Sequence, residues 1–227
     1  MKNLLLFMLL SGMAFALPAQ TKTDYNKAAD SDPRAKAILD KVQKKYEGYK
    51  SLEAAFALDI ELPEQPKESQ KGKVARSGDK YRVELAGQSV ICDGKSIWLI
   101  MSSNKEVQIN NMPDADEDTD ILSPQSLFNF YQKGKFAYVL VNEYSQGGKA
   151  VQEIEFKPLQ KNFDYSKIRM TVNKTTSEVL NVKAFGKDGS RFTITISQLV
   201  PNKAFTADYF TFDKAKYPGY HVEDLRY

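Results

Sequence analysis

Between Gly72 and Met101 the chain reads GKVARSGDKYRVELAGQSVICDGKSIWLIM, and three turn signals cut this stretch into short apolar-rich runs. The signals are Ser77-Gly78-Asp79, Ala86-Gly87 and Asp93-Gly94. Type I′ hairpin turns need positive φ at both central residues, which Asp-Gly accepts at little steric cost. Four sequential antiparallel strands are therefore expected, and they set the register for the strands after them. They contain no evident reactive group. A chain organised around them acts through a surface or a cavity.

The flanking sequence supplies cover for these strands. Asp32-Pro33 is an N-cap followed by proline at the first helical position. Ala35, Ile38, Leu39, Val42, Tyr46 and Tyr49 then recur at helical spacing, and Gly48 marks the end. Ser51–Leu62 switches to period two, with Phe56, Leu58, Ile60 and Leu62 on one face and Ala57, Asp59 and Glu61 on the other. Tyr81, Val83 and Leu85 likewise oppose Lys80, Arg82 and Glu84, the pattern of a half-buried antiparallel sheet. The Asp93-Gly94 hairpin is apolar on both faces, Val90, Ile97, Leu99 and Met101 against Ile91, Trp98 and Ile100. It must be covered twice, or one side must line something apolar, and the spacing leaves open which face points inward.

Ser123-Pro124 repeats the cap-and-proline device and opens a second short helix over 124–132, loaded with Leu127, Phe128, Phe130 and Tyr131. The remainder reads as a β meander: 136–144, 150–157, 167–173, 178–185, 191–199 and a last short strand at 210–213. The sum is about eleven locally joined strands, mainly β with helical cover. That order predicts a single curved antiparallel sheet, an incomplete barrel rather than a parallel α/β fold.

Lys2, the apolar run from Leu4 to Leu10 and the small residues ending at Ala16 or Ala19 predict a signal peptide over 1–19. A polar, flexible leader is expected over 20–31 and one domain over 32–227. Net charge is only +3 and interspersed, so no field for nucleic acid is implied. Cys92 is the only cysteine and His221 the only histidine. No disulfide can form within the chain, and neither a Cys/His metal site nor a Ser-His or Cys-His engine is indicated. Asp114, Asp116 and Asp118 mimic half of a calcium loop, but Thr119 stands where glycine is required and Gln125 where glutamate is required. Gly94-Lys95-Ser96 lacks the upstream glycine of a P-loop, since Ser89 occupies that position. The expectation is a binding protein with no catalytic residue, no metal and no cofactor.

Taken in order, several pieces resemble the signature of LolA-type periplasmic lipoprotein carriers. Gly72…Lys80-Tyr81-Arg82…Cys92-Asp93-Gly94-Lys95-Ser96-Ile97-Trp98 resembles G…(F/Y)-R-(W)…S-D-G-K-x-(L/I)-W. Ser123-Pro124…Leu127-Phe128 resembles that family's mid-chain helix, and Ile154-Glu155-Phe156-Lys157-Pro158 its L-x-P strand. Phe185…Asp188-Gly189-Ser190…Thr193 and Phe210…Phe212…Pro218-Gly219…Val222 resemble its closing motifs.

The resemblance implies an apolar concave face under a helical lid, in a monomer that ferries acylated lipoproteins. They would pass from an inner-membrane lipoprotein-releasing transporter to an outer-membrane acceptor. The implied cavity and lid residues are Ile38, Leu39, Val42, Phe56, Leu58, Ile60, Tyr81, Val83, Leu85, Trp98, Ile100, Leu127, Phe128 and Tyr131. Arg76 and Arg82 are the implied lid latch, although the family's Arg-Pro pair is absent, the turn is shorter and Val83 replaces a tryptophan. Arg76 reads equally as a surface charge. A second reading is a half-barrel that holds another lipid or senses lipoproteins under envelope stress.

Overall fold

The computed structural model describes residue 25, residues 27–112, residue 131, and residues 134–161 and 163–226. Helix α1 spans Pro33–Glu47, and its N-cap Asp32 accepts a hydrogen bond from the Arg34 amide at 2.8 Å. Ala35, Leu39, Val42 and Tyr46 form its buried stripe. From α1 the chain turns into β1 (Ser51–Glu61) and runs through β2 (Glu68–Ser77), β3 (Lys80–Leu85), β4 (Gln88–Cys92), β5 (Ser96–Met101) and β6 (Glu106–Asn111). A second meander holds β7 (Phe136–Gln146), β8 (Lys149–Pro158), β9 (Tyr165–Asn173), β10 (Val179–Gly186) and β11 (Arg191–Pro201), and β12 (His221–Asp224) closes the chain.

All twelve strands belong to one open, curved sheet in the order β12-β6-β5-β4-β3-β2-β1-β11-β10-β9-β8-β7. Neighbours are antiparallel except β12, which lies parallel to β6 with Val222 opposite Val107. Within each meander the pairings are local hairpins. The long-range join is β1 with β11, where Phe56 faces Ile196 and Leu58 faces Ile194. This is the expected incomplete barrel with a helical cover.

The strand list differs from expectation in three places. Glu106–Asn111 is a strand whose Val107 and Ile109 alternate with polar residues. Residues 210–213 are not a strand; Phe210 is buried in a turn among the rings of Phe205 and Tyr209. The last strand is instead His221–Asp224, in which Val222 is the one apolar residue.

The Asp93-Gly94 turn also sits one residue later than expected. Cys92 pairs with Ile97, so Gly94 and Lys95 are the central residues. Only Gly94 has positive φ (+94°), as a II′ rather than a I′ turn requires, and the Asp93 carboxylate accepts from the amides of Lys95 and Ser96, both at 2.9 Å. Pairing slips by two residues, which leaves every side chain on its expected face because strand periodicity is two.

Two apolar clusters lie on opposite faces. The larger fills the concave side, where α1 packs on Leu52 and Phe56 of β1 and on the inward residues of β7 to β11. The smaller lies on the outer side, where Ile91, Ile100 and Val107 are covered by Phe212, Tyr217, Tyr220 and Val222. Residues 27–31, inside the stretch expected to be a leader, and the cap residue Asp32 run along edge strand β7. The Asp32 amide donates to the Tyr138 carbonyl at 2.9 Å, and the Tyr138 amide donates to Ser31 Oγ at 3.2 Å. The Tyr25 hydroxyl donates to Glu155 at 2.7 Å. One sheet edge is thus partly paired, which lessens edge-to-edge association.

Candidate functional site

Register decides which side chains share the concave face, since directly paired residues point the same way. Leu52, Ala54 and Phe56 of β1 stand opposite Arg76, Val74 and Gly72 of β2. Arg76 and Val74 in turn pair with Tyr81 and Val83 of β3, and those with Cys92 and Val90 of β4. Cys92 and Val90 pair with Ile97 and Leu99 of β5. The floor is therefore apolar from β1 to β5. Across those strands, among the described residues, it carries only two charges, Arg76 and, at the far end of β2, Glu68.

Gly72 explains how the floor is shaped. A Cβ there would lie 2.6 Å from Phe56 Cζ, 2.8 Å from Leu85 Cδ2 and 2.8 Å from the Glu84 carbonyl oxygen. Phe56 and Leu85 close over the bare backbone from two neighbouring strands, a cover that only glycine permits.

The structure gathers most of the sequence-expected residues on this side. Leu39 and Val42 of α1 are buried in the large cluster, with Ile38 packed beside them. Phe56 belongs to the same cluster, and Leu58, Val83 and Leu85 pack against it half-buried. Ile60 shares the face through its pairing with Phe192, and Tyr81 is buried between Arg76 and Cys92. Tyr131 stacks on Phe156 with centroids 5.8 Å apart, and its hydroxyl donates to the Leu39 carbonyl at 3.2 Å. Burial pushes its phenol well above the usual range. Leu127 and Phe128, with Asp114, Asp116 and Asp118 and all of the expected second helix but Tyr131, lie outside the described residues, as does the expected signal peptide.

Three expected site residues stand elsewhere. Trp98 and Ile100 lie on the outer face, Trp98 stacked on Phe212 at 5.9 Å and Ile100 in the smaller cluster. The reason is parity: both alternate with Ile97 and Leu99, which face inward. Arg82 also lies outside. It donates to Glu84 at 2.9 Å and to the Tyr209 carbonyl at 3.4 Å, and lies over the Tyr209 ring at 5.5 Å. It fastens the C-terminal segment to the sheet. Arg76 does face inward, yet among the described residues it has no hydrogen-bond partner.

Among the half-buried apolar inward residues of β2 to β5, sequence reasoning left out Val74, Val90, Ile97, Leu99 and Met101. The sequence pattern does group four of them on one face of the hairpin. It carries no sign that the C-terminal segment covers the other. α1 packs toward β7 to β11, so the concave side of β3 to β5 carries apolar surface that α1 does not bury. A groove of about 570 Å³ is lined by Ala55, Ala57, Lys71, Lys73, Glu84 and Ser197 together with Phe56, Gly72 and Leu85 of the floor.

Such a floor offers burial and no reactive group. Among the described residues no group of three or more His, Cys, Asp or Glu is placed to hold a metal ion. Cys92 is fully buried, and burial raises its thiol away from the reactive thiolate form.

Residues 47–213 match the model of a family described as outer membrane lipoprotein carrier protein LolA. No curated protein matches the sequence. Among solved structures, an uncharacterised conserved protein from Thermus thermophilus is similar at 11% identity and a TM-score of 0.55, covering 86% of this chain and 99% of that one. A LolA-superfamily protein from Nitrosomonas europaea aligns at 15% identity and a TM-score of 0.43, covering 79% and 98%. The Mycobacterium tuberculosis lipoprotein LppX aligns at 12% identity and a TM-score of 0.45, covering 78% and 100%. At these identities the likeness to the Thermus protein speaks for the fold alone.

Proposed function

This chain belongs to the LolA family, and from that premise we propose that it carries the acyl chains of lipoproteins in the bay between α1 and strands β2 to β5. The observation that carries the reading is the apolar concave surface at Val83, Leu85, Val90 and Leu99, which α1 leaves half-buried. An acyl chain laid there leaves water at about 0.8 kcal/mol per buried methylene. A dozen methylenes would then contribute roughly 10 kcal/mol, enough to hold a lipid-anchored protein in water and too much for rapid release. Delivery therefore requires a competing closed state, in which α1 and the inward side chains pack on one another without cargo.

In this reading the protein is exported, loses residues 1–19 and works in the periplasm. It accepts cargo from an inner-membrane lipoprotein-releasing transporter and yields it to an outer-membrane acceptor. Among the described residues no helix is long and apolar enough to cross a membrane.

The test is reconstitution. Purified protein added to vesicles that hold an acylated lipoprotein and its releasing transporter is expected to yield a soluble one-to-one complex. A deacylated version of the same lipoprotein should give none. Equal recovery of both forms, or of neither, would overturn the proposal.

A further inference from the structure

A charged side chain set into an apolar floor is costly to keep without a partner. Arg76 is such a residue. It pairs across β1 with Leu52, which is 1% exposed, and across β3 with Tyr81, which is 5% exposed. The guanidinium is itself largely withdrawn from water, and that desolvation lowers its pKa. Asp79, on the turn that follows β2, acts on it only through space. No hydrogen bond from a described residue compensates the burial. Val74, two residues back on the same face, stands about 7 Å from Arg76 along the strand, and Val83 lies directly across from it. The charge is thus at one end of the half-buried apolar strip.

We propose that Arg76 receives the anionic head group of an amphiphile, a carboxylate or phosphate, whose hydrocarbon chain lies along Val74, Val83 and Leu85. The planar guanidinium offers two parallel N–H donors that match either group, and such charge-assisted bonds strengthen where water is excluded. The inference rests on the reading that the bay holds an acyl chain, and does not depend on that chain belonging to a lipoprotein.

The experiment compares equilibrium binding of radiolabelled oleate, oleoyl lysophosphatidate and methyl oleate to the full-length mature protein, to Arg76→Gln and to Arg76→Lys. The wild type is expected to bind both anions at least tenfold more tightly than the ester. Arg76→Gln should abolish that preference while leaving ester affinity unchanged, and Arg76→Lys should keep part of it. Inorganic phosphate at millimolar concentration should leave oleate bound. Equal wild-type affinity for acid and ester would overturn the head-group role while sparing the acyl-chain reading, and so would an equal loss of both in Arg76→Gln. Displacement of oleate by inorganic phosphate would show a free-anion site and overturn the amphiphile. Failure of the wild type to bind any of the three lipids would remove the acyl-chain reading and the inference with it. If Arg76→Gln does not fold, the acid-to-ester ratio of the wild type against Arg76→Lys decides.

Discussion

Replacing Gly72 by alanine tests the shape of the floor with a single methyl group. Gly72 does not have positive φ, so alanine meets no backbone strain there. Its lower unfolded-state entropy would by itself stabilise the strand by roughly 0.4–1 kcal/mol. Against this stand three contacts that the new Cβ makes at 2.6, 2.8 and 2.8 Å. Contacts this short force something to move. The Phe56 ring and the Leu85 methyl can give way only by shifting within the cover they form. The Glu84 carbonyl is backbone of the neighbouring strand and cannot turn aside at all. Overpacking of this kind costs about 1–3 kcal/mol, and the blocked carbonyl places this case toward the upper end.

The expected net is a destabilisation of roughly 1–2 kcal/mol. Guanidinium unfolding should show it as a lower midpoint at unchanged slope, and at this chain length thermal unfolding should shift down by about 2–4 °C per kcal/mol. Trimming the ring in the double variant Gly72→Ala with Phe56→Leu should recover part of the loss, giving a coupling energy above about 0.5 kcal/mol. A Gly72→Ala variant as stable as wild type, or more stable, would refute the reasoning, since the entropy gain would then stand unopposed.

Three further perturbations read other parts of the molecule. Tyr46 in α1 accepts the Val179 amide at 3.2 Å through its buried hydroxyl; Tyr46→Phe leaves that donor unsatisfied and should cost about 1–3 kcal/mol, seen as a lower denaturation midpoint. Glu155 sits below its ordinary carboxylate range: burial would raise it, but hydrogen bonds from Tyr25, Arg169 and Lys167 outweigh burial. A depressed folded pKa gives stability that is present above the unfolded value and is lost as pH falls through the folded one. Glu155→Gln should therefore flatten the acid limb of a stability–pH profile, and an unchanged limb would count against the cluster. Trp98→Ala and Leu99→Gln change adjacent residues on opposite faces. The first should lower stability and spare acyl-chain binding, whereas the second should weaken binding with a smaller loss of stability.

Much of the fold was legible because strand parity is robust. α1 begins at Pro33 after Asp32 as the cap signals require, and Phe56, Leu58, Val83 and Leu85 share a face as period two requires. The misplaced Asp93-Gly94 turn did no harm, because a slip of two residues preserves every face. Parity even opposed one carry-over: Arg82 alternates with Tyr81 and Val83 and belongs with Lys80 and Glu84 on the polar side. Its position in a resembling motif pointed toward a latch, and the alternation pointed outward, where the structure has it. What could not be read was the assignment of Trp98 and Ile100. Both faces of that hairpin are apolar, and the deciding cover comes from Phe212, Tyr217 and Tyr220 at the other end of the chain. β12 was equally hidden, being four residues of which only Val222 is apolar, with a remote partner in β6 and a parallel pairing that no turn announces.

That outer cover bears on what the concave side is free to do. Strands β4 to β6 lie far along the sheet from α1, and a small meander is stable only where an apolar face is packed. Here the outward residues Ile91, Ile100 and Val107, each at most 1% exposed, tie it down. At about 1.5–3 kcal/mol for each fully buried aliphatic side chain, those three alone contribute several kcal/mol. The parallel strand β12 and the stack of Trp98, Phe212 and Tyr217 add to this, with neighbouring rings 5.9 and 5.4 Å apart. The inward residues of the same strands, Val90, Ile97 and Leu99, are then released from holding the fold together. They can remain half-buried and apolar without endangering stability. A cavity that must both fill and empty needs walls whose order does not depend on its contents. Under the proposed carrier role, the small core on the far side of the sheet supplies that independence, which accounts for the two apolar faces of the Asp93-Gly94 hairpin.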